Sequence, residues 1–238
     1  MQHPTSMAFP PKLTLYFSPK ACSLASHIAL EESRLLYEAV SVDIRAQENM
    51  SPAYLKINPS GAVPALGIGD AVLTESHAIL TYIADLAPES GLLPRPGTLA
   101  RVRAHEWMNW ISGTMHVTYR SIFRSQTYAG DEPHAIAAVR EHAKKKLAKV
   151  LREVEDRLGT SDYAVGGQFS VVDAYLFVFY TWSFDERIQT KLPDRPRYAA
   201  LAERVFARPA VRRVLARERA VRAYELPPSF AQALSEAQ

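Results

Sequence analysis

The hydrophobic period of this chain changes partway along, and that change constrains the fold more than any other feature. Leu13, Leu15 and Phe17 alternate on an apolar run, Leu24 and Ile28 repeat at helical spacing, and Ala39 to Ile44 forms a second apolar, β-branched stretch. Pro64 to Ile68 and Ala71 to Leu73 then flank Gly69-Asp70, a two-residue connection suited to an antiparallel hairpin. Ser76 stands where it can cap a helix whose apolar face carries Ile79, Ile83 and Leu86. The order reads β-α-β followed by β-β-α and ends near Ala87. Pro88, Gly91, Pro94, Pro96 and Gly97 crowd the next stretch, which reads as a linker over 88–98. Beyond it only helical spacing is found, near 99–125, 132–158, 171–184, 197–207 and 210–220. Ser170-Val171-Val172-Asp173 has the form of a capping box, with a hydroxyl over orphan N–H groups and a carboxylate reaching back. The pattern predicts an α+β chain: a mixed domain over 12–87, an all-α domain over 99–220, a flexible N-terminal extension over 1–11 and a C-terminal extension over 221–238.

With 47% apolar residues in 238, the chain has ample material for such cores. A single cysteine excludes an internal disulfide. No signal-peptide pattern and no long uncharged apolar run is evident, so a cytoplasmic protein away from the membrane is expected. The formal charge of +3 is mild, and basic runs such as Lys144-Lys145-Lys146 and Arg212-Arg213 are interleaved with acids and apolar residues. That pattern is a solvated helix face rather than a nucleic-acid surface.

Cys22, the lone cysteine, occupies the turn Ser18-Pro19-Lys20-Ala21-Cys22-Ser23 between the first strand and the first helix. A sulfur at a helix N-terminus meets unpaired N–H groups and the positive end of the dipole, which favour thiolate, and Lys20 adds a cation. The competing reading is a small buried hydrophobe. In the second domain, Asn109 and His116 are seven apart and at about 100° per residue fall within roughly 20° on one helix, with His105 and Ser112 on the same stripe. Trp107, Trp110, Ile111, Thr114 and Thr118 point elsewhere, so the stripe is equally compatible with a solvated polar face. Gly113 disfavours helix by roughly 1 kcal/mol and allows a bend or a close approach. His27 and His77 read as packing or capping residues.

Four segments resemble the cytosolic glutathione transferases: Tyr16 to Leu30, Asn58-Pro59-Ser60-Gly61-Ala62-Val63-Pro64-Ala65-Leu66, Leu73-Thr74-Glu75-Ser76-His77-Ala78-Ile79, and Ser170 to Asp173. The Ala-Cys-Ser-Leu turn and the Trp107-Met108-Asn109-Trp110 helix leading to His116 are similar to the bacterial beta class. The resemblance spans about Lys12 to Ala220. It implies a thioredoxin-like N-terminal domain of β-α-β-β-β-α type, an all-α helical bundle, a homodimer, glutathione as co-substrate, a detoxifying conjugation of hydrophobic electrophiles, and no metal.

Carried onto this chain, the resemblance makes Cys22, His116 and Ser23 the catalytic candidates, with Ser18 a rival hydroxyl. Ala21, Val63, Pro64, Glu75, Ser76, Asn109 and Gly113 become glutathione contacts. A cis Pro64 would turn the Val63 N–H and C=O outward as an edge for the ligand's own backbone. Ser76 at a helix start would receive a carboxylate and Glu75 an ammonium. Tyr119, Phe123 and Phe179 are the candidates for an electrophile pocket between the domains. Phe17 stands where many relatives place a tyrosine, which argues against a phenol mechanism. Val117 follows His116 where a basic residue is common, and Arg45 is the nearest cation after the second strand. Glutathione-dependent disulfide reduction, peroxidase, dehalogenase or isomerase activity through Cys22 is the alternative, and a non-catalytic binding protein on the same fold is a third. The extension from Val221, with Pro227-Pro228 inside it, is expected either to cover the electrophile pocket or to lie disordered.

Overall fold

The computed structural model describes residues 11–236. Most of the expected N-terminal extension therefore lies outside the described residues.

Alternation along β1 (Leu13–Phe17) buries Leu13, Leu15 and Phe17 on one face, because successive side chains of a strand point to opposite sides. β2 (Tyr37–Ser41) pairs parallel to β1, β3 (Ala65–Ile68) antiparallel to β1, and β4 (Ala71–Thr74) antiparallel to β3, giving the order β2-β1-β3-β4. The β3–β4 connection is the expected Gly69-Asp70 turn, with Gly69 at φ +58°. α1 (Leu24–Ser33) and α3 (Ser76–Leu86) pack together over the face that carries Phe17. Tyr16, on the other face, meets Tyr54 edge-on. Tyr54 belongs to α2 (Pro52–Leu55), a single turn that has no strong apolar period and is not anticipated from the sequence. α3 also begins differently from expectation: Ser76 is its first helical residue, and Glu75 precedes it at φ +70°.

The helical domain comprises α4 (Leu99–Trp110), α5 (Val117–Phe123), α6 (Gln126–Ala129), α7 (Pro133–Leu158), α8 (Val171–Trp182), α9 (Pro196–Phe206) and α10 (Pro209–Val221). All twelve residues of α8 are buried, which makes it the axis of the domain. It starts on the anticipated capping box: the Asp173 carboxylate accepts from the Ser170 N–H at 2.7 Å and the Ser170 hydroxyl at 2.9 Å. α1 packs on α8 and α10, so one apolar core runs through both domains.

The described part of the C-terminal extension is ordered by packing. It forms α11 (Pro228–Ser235), and Phe230 stacks on Phe206 with centroids 4.2 Å apart and planes 7° apart. Leu226, Phe230 and Leu234 are buried there. Three apolar residues on one short stretch give enough hydrophobic burial to hold it on α9.

Candidate active site

The Cys22 turn is closed by the Ala21 N–H donating to the Ser18 carbonyl at 3.0 Å, with Pro19 and Lys20 at its centre. Proline suits the first central position, whereas the second, Lys20, sits at φ +64°, where a side chain is strained. Ser23 precedes α1, and its hydroxyl donates to the Ser18 carbonyl at 3.3 Å while accepting from the Ser18 N–H at 3.2 Å. That makes Ser23 a brace of the turn.

Cys22 is buried, and its Sγ donates to the Val63 carbonyl at 3.3 Å. Burial pushes the thiol up to about 11, even though the Ser76 hydroxyl and the N–H groups of Cys22 and Ser23 favour the anion. The expectation of a resting thiolate is thereby corrected: the donors expected at a helix start are there, but desolvation outweighs them. Lys20 does not help either, because its Nζ turns to Asp185 at 3.1 Å.

Across from the sulfur, the Val63-Pro64 peptide is cis. The loop before it is held locally. Asn49 Nδ2 donates to the Gly61 carbonyl at 2.6 Å, while the Tyr54 hydroxyl (2.7 Å) and Asn58 Nδ2 (2.8 Å) both donate to that of Ala62. Gly61 adopts φ +60°, and a Cβ there would meet Met50 Sδ at 2.7 Å, so both conformation and space require glycine. Glu75 is exposed and Ser76 buried, so at this helix start one side chain faces solvent and one faces the sulfur.

The helical wall departs from the sequence geometry at one turn. Ile111–His116 form a π-helical turn between α4 and α5. Hydrogen bonds from i to i+5 put one extra residue in the turn, which shifts the facing of everything beyond it by roughly 100°. Asn109 and His116 therefore do not share a stripe as predicted. Asn109 Oδ1 lies 2.9 Å from His77 Nδ1, and His77 Nε2 lies 2.7 Å from His105 Nδ1. His77 is thus a polar link from α3 to α4 as well as a packed residue, and the His105–Asn109 part of the stripe does share one face. His116 instead packs on Phe179 and Trp182, at 5.4 and 5.5 Å between centroids. Burial lowers its imidazole to about 4, which leaves it neutral near pH 7. Gly113, within the π turn, is exposed with nothing near its missing Cβ.

Tyr119 and Phe179 are fully buried, and the Tyr119 hydroxyl donates to the Phe179 carbonyl at 3.0 Å. Phe123 is half-buried and borders a cavity of about 380 Å³ that Ile122, Arg140, Lys144 and Arg187 also line. Ala21 lies inside the Cys22 turn. Among the described residues no group of three or more His, Cys, Asp or Glu side chains is arranged to hold a metal ion.

Sequence reasoning missed several residues here. Tyr175 of α8 is fully buried, and burial, then the nearby Cys22, pushes its phenol up. Trp182, Asp185 and Glu218 reach the Cys22 turn from far along the chain. Helical period marks all four only as core or loop positions, and nothing in their spacing points to a partner in the first domain.

Comparison with known proteins agrees with this architecture. The family model described as the glutathione S-transferase N-terminal domain matches residues 11–85, and that of the C-terminal domain matches residues 111–209. The Escherichia coli O157:H7 protein named glutathione S-transferase GstA is 35% identical over 209 residues, covering 87% of this chain and 98% of that one. A solved glutathione transferase homologue from Sulfitobacter, with bound glutathione, superposes with a TM-score of 0.80 at 34% identity, covering 87% and 98% of the two chains. A beta-class glutathione S-transferase from Sphingomonas chungbukensis gives 0.74 at 34% identity, covering 86% and 98%. With both domains matched in order and a relative 35% identical over nearly its whole length, the chain belongs to the glutathione S-transferase family.

Proposed function

We propose that this chain is a beta-class glutathione transferase that binds glutathione along Val63, Glu75 and Ser76 and presents the ligand's thiolate to hydrophobic electrophiles. The observation that carries the reading is the meeting of the Cys22 sulfur, the Val63 carbonyl and the Ser76 hydroxyl at one place. An extended tripeptide paired with the Val63 edge, its γ-glutamyl end at the start of α3, would bring its own sulfur there. The protonation states then assign roles. With a thiol near 11, only roughly one Cys22 in ten thousand is thiolate at pH 7, so Cys22 serves as an S–H donor to the glutathione sulfur. His116, neutral at that pH, donates a ring N–H and is a poor base, because a proton moving from a thiol to an imidazole near 4 goes steeply uphill. The N–H groups of Cys22 and Ser23 complete the anion's surroundings. Glutathione thiolate attacks the electrophilic carbon, a C–S bond forms, and the leaving group departs with its electron pair. The thiol's proton goes to solvent.

This favours conjugation over disulfide exchange through Cys22, which needs Cys22 itself as thiolate. The electrophile lies against Phe123, in the cavity that Arg140 and Arg187 also line. Exposed Val72, Leu99 and Val102 on β4 and α4 support a homodimer, and a chain whose described helices include none long and apolar enough to span a membrane fits a cytoplasmic location. The test compares wild type and Cys22→Ala for conjugation of an aryl halide, reduction of a glutathione mixed disulfide, and retention on immobilised glutathione. Conjugation that survives at reduced rate, with retention intact, is expected. Loss of disulfide reduction alone would make Cys22 a thiol-transferase nucleophile, and a wild type that neither binds nor conjugates would overturn the reading.

A further inference from the structure

The backbone of the Pro19–Lys20 turn is gripped by the helical domain at three points. The Trp182 indole N–H donates to the Lys20 carbonyl at 2.8 Å, the Lys20 N–H donates to Glu218 Oε2 at 3.3 Å, and Arg222 Nη2 donates to the Pro19 carbonyl at 2.6 Å. Lys20 Nζ adds its bond to Asp185. Glu218 is fully buried and is aligned by His27 Nδ1 at 2.9 Å, while the Arg222 guanidinium is aligned by Asp43 at 3.2 Å. The turn also closes on its own Ser18–Ala21 bond. These bonds surround Lys20 at φ +64°, a conformation costing roughly 1–2 kcal/mol for a residue with a Cβ. A strained backbone persists only where its surroundings over-determine it, and Cys22 follows two residues later.

We propose that Trp182, Glu218 and Arg222 are positioning residues that clamp the strained Lys20 turn and so set where the Cys22 sulfur sits and how closed its pocket is. This rests on the reading of the Cys22 turn as the sulfur site. It makes the reactive geometry of the first domain depend on α8 and α10 of the second, whereas glutathione's backbone contacts at Val63 do not.

Two variants test the clamp while sparing the packing. Trp182→Phe removes the indole donor and keeps an aromatic ring against His116; Arg222→Met removes the guanidinium and keeps the stem. Iodoacetamide labelling of Cys22 at pH 7.5, without glutathione, should accelerate about tenfold in each as the pocket loosens. For aryl-halide conjugation, kcat should fall about tenfold or more while KM for glutathione stays within about twofold. Val150→Ala in α7 is the control for general destabilisation and should label at the wild-type rate. Labelling unchanged within about twofold in both clamp variants, or equally accelerated in Val150→Ala, overturns the proposal. Because labelling needs no glutathione, it decides the clamp even if the wild type proves not to be a transferase, and that second failure would be seen separately on immobilised glutathione.

Discussion

The two sides of the candidate site are held in opposite ways. The Val63 loop takes its bonds from Asn49, Tyr54 and Asn58, partners 12, 8 and 4 residues from the carbonyls they grip. The Cys22 turn takes its from Trp182, Glu218 and Arg222, 162, 198 and 203 residues away. The Val63 loop is thus held within the first domain, and the Cys22 turn is held from the second. Ion pairs flank the apolar core that joins the domains. Arg208 and Arg213 of the α10 segment pair with Glu32 and Glu31 of α1 at 2.6 and 2.7 Å, so part of what reads as a solvated basic face is an interdomain contact.

The comparison is broken most severely at Glu218. Glu218→Ala leaves His27 Nδ1 and the Lys20 N–H without their buried acceptor, and a loss of about 3 kcal/mol is expected in urea unfolding. A loss under about 1 kcal/mol would mean that the long-range side is not held as described. Next comes the local side. Gly61→Ala forces a Cβ toward Met50 Sδ and is expected to cost about 2 kcal/mol and to abolish retention on immobilised glutathione, while Cys22 labelling stays near wild type. Equal damage to both readouts would show the two sides to be coupled after all.

A pH measurement sharpens the sulfur side. The folded Cys22 thiol lies above its unfolded value of about 8.5, so the stability this brings is fully present below about pH 8.5 and is lost as pH rises through about 11. The stability difference between wild type and Cys22→Ala should therefore shift against wild type over that window, and labelling should climb about tenfold per pH unit without levelling near 8.5. A plateau by pH 8 would mean a resting thiolate. The smallest effect belongs to the half-exposed histidine link: His77→Ala should cost under about 1 kcal/mol and leave KM for glutathione within about twofold. A large rise in KM would instead bring Asn109 back to the ligand.

Much of the architecture is legible in residue order. Alternation over Leu13–Phe17, the Gly69-Asp70 turn and the Ser170–Asp173 cap are local signals, each with a physical cause acting within a few residues. α2 is not legible, since one turn of helix carries no period. The facing of His116 is misread for a sharper reason. A fixed 100° per residue assumes i to i+4 bonding, and the π turn at Ile111–His116 breaks that assumption. The C-terminal extension shows the same limit: Phe230 looks like tail sequence until Phe206 is seen beneath it.

The chain's order of apolar, turn and capping residues determined by itself that a mixed sheet domain precedes a helical one, and which short motifs stand at the ends of strands and helices. Only the tertiary structure decided the chemical state of those motifs. A cysteine at a helix start has donors that favour the anion, but whether they prevail depends on how much water the second domain excludes, and here burial prevails. Desolvation and long-range hydrogen bonds are properties of what is packed around a residue, and a linear string carries no record of its neighbours in space.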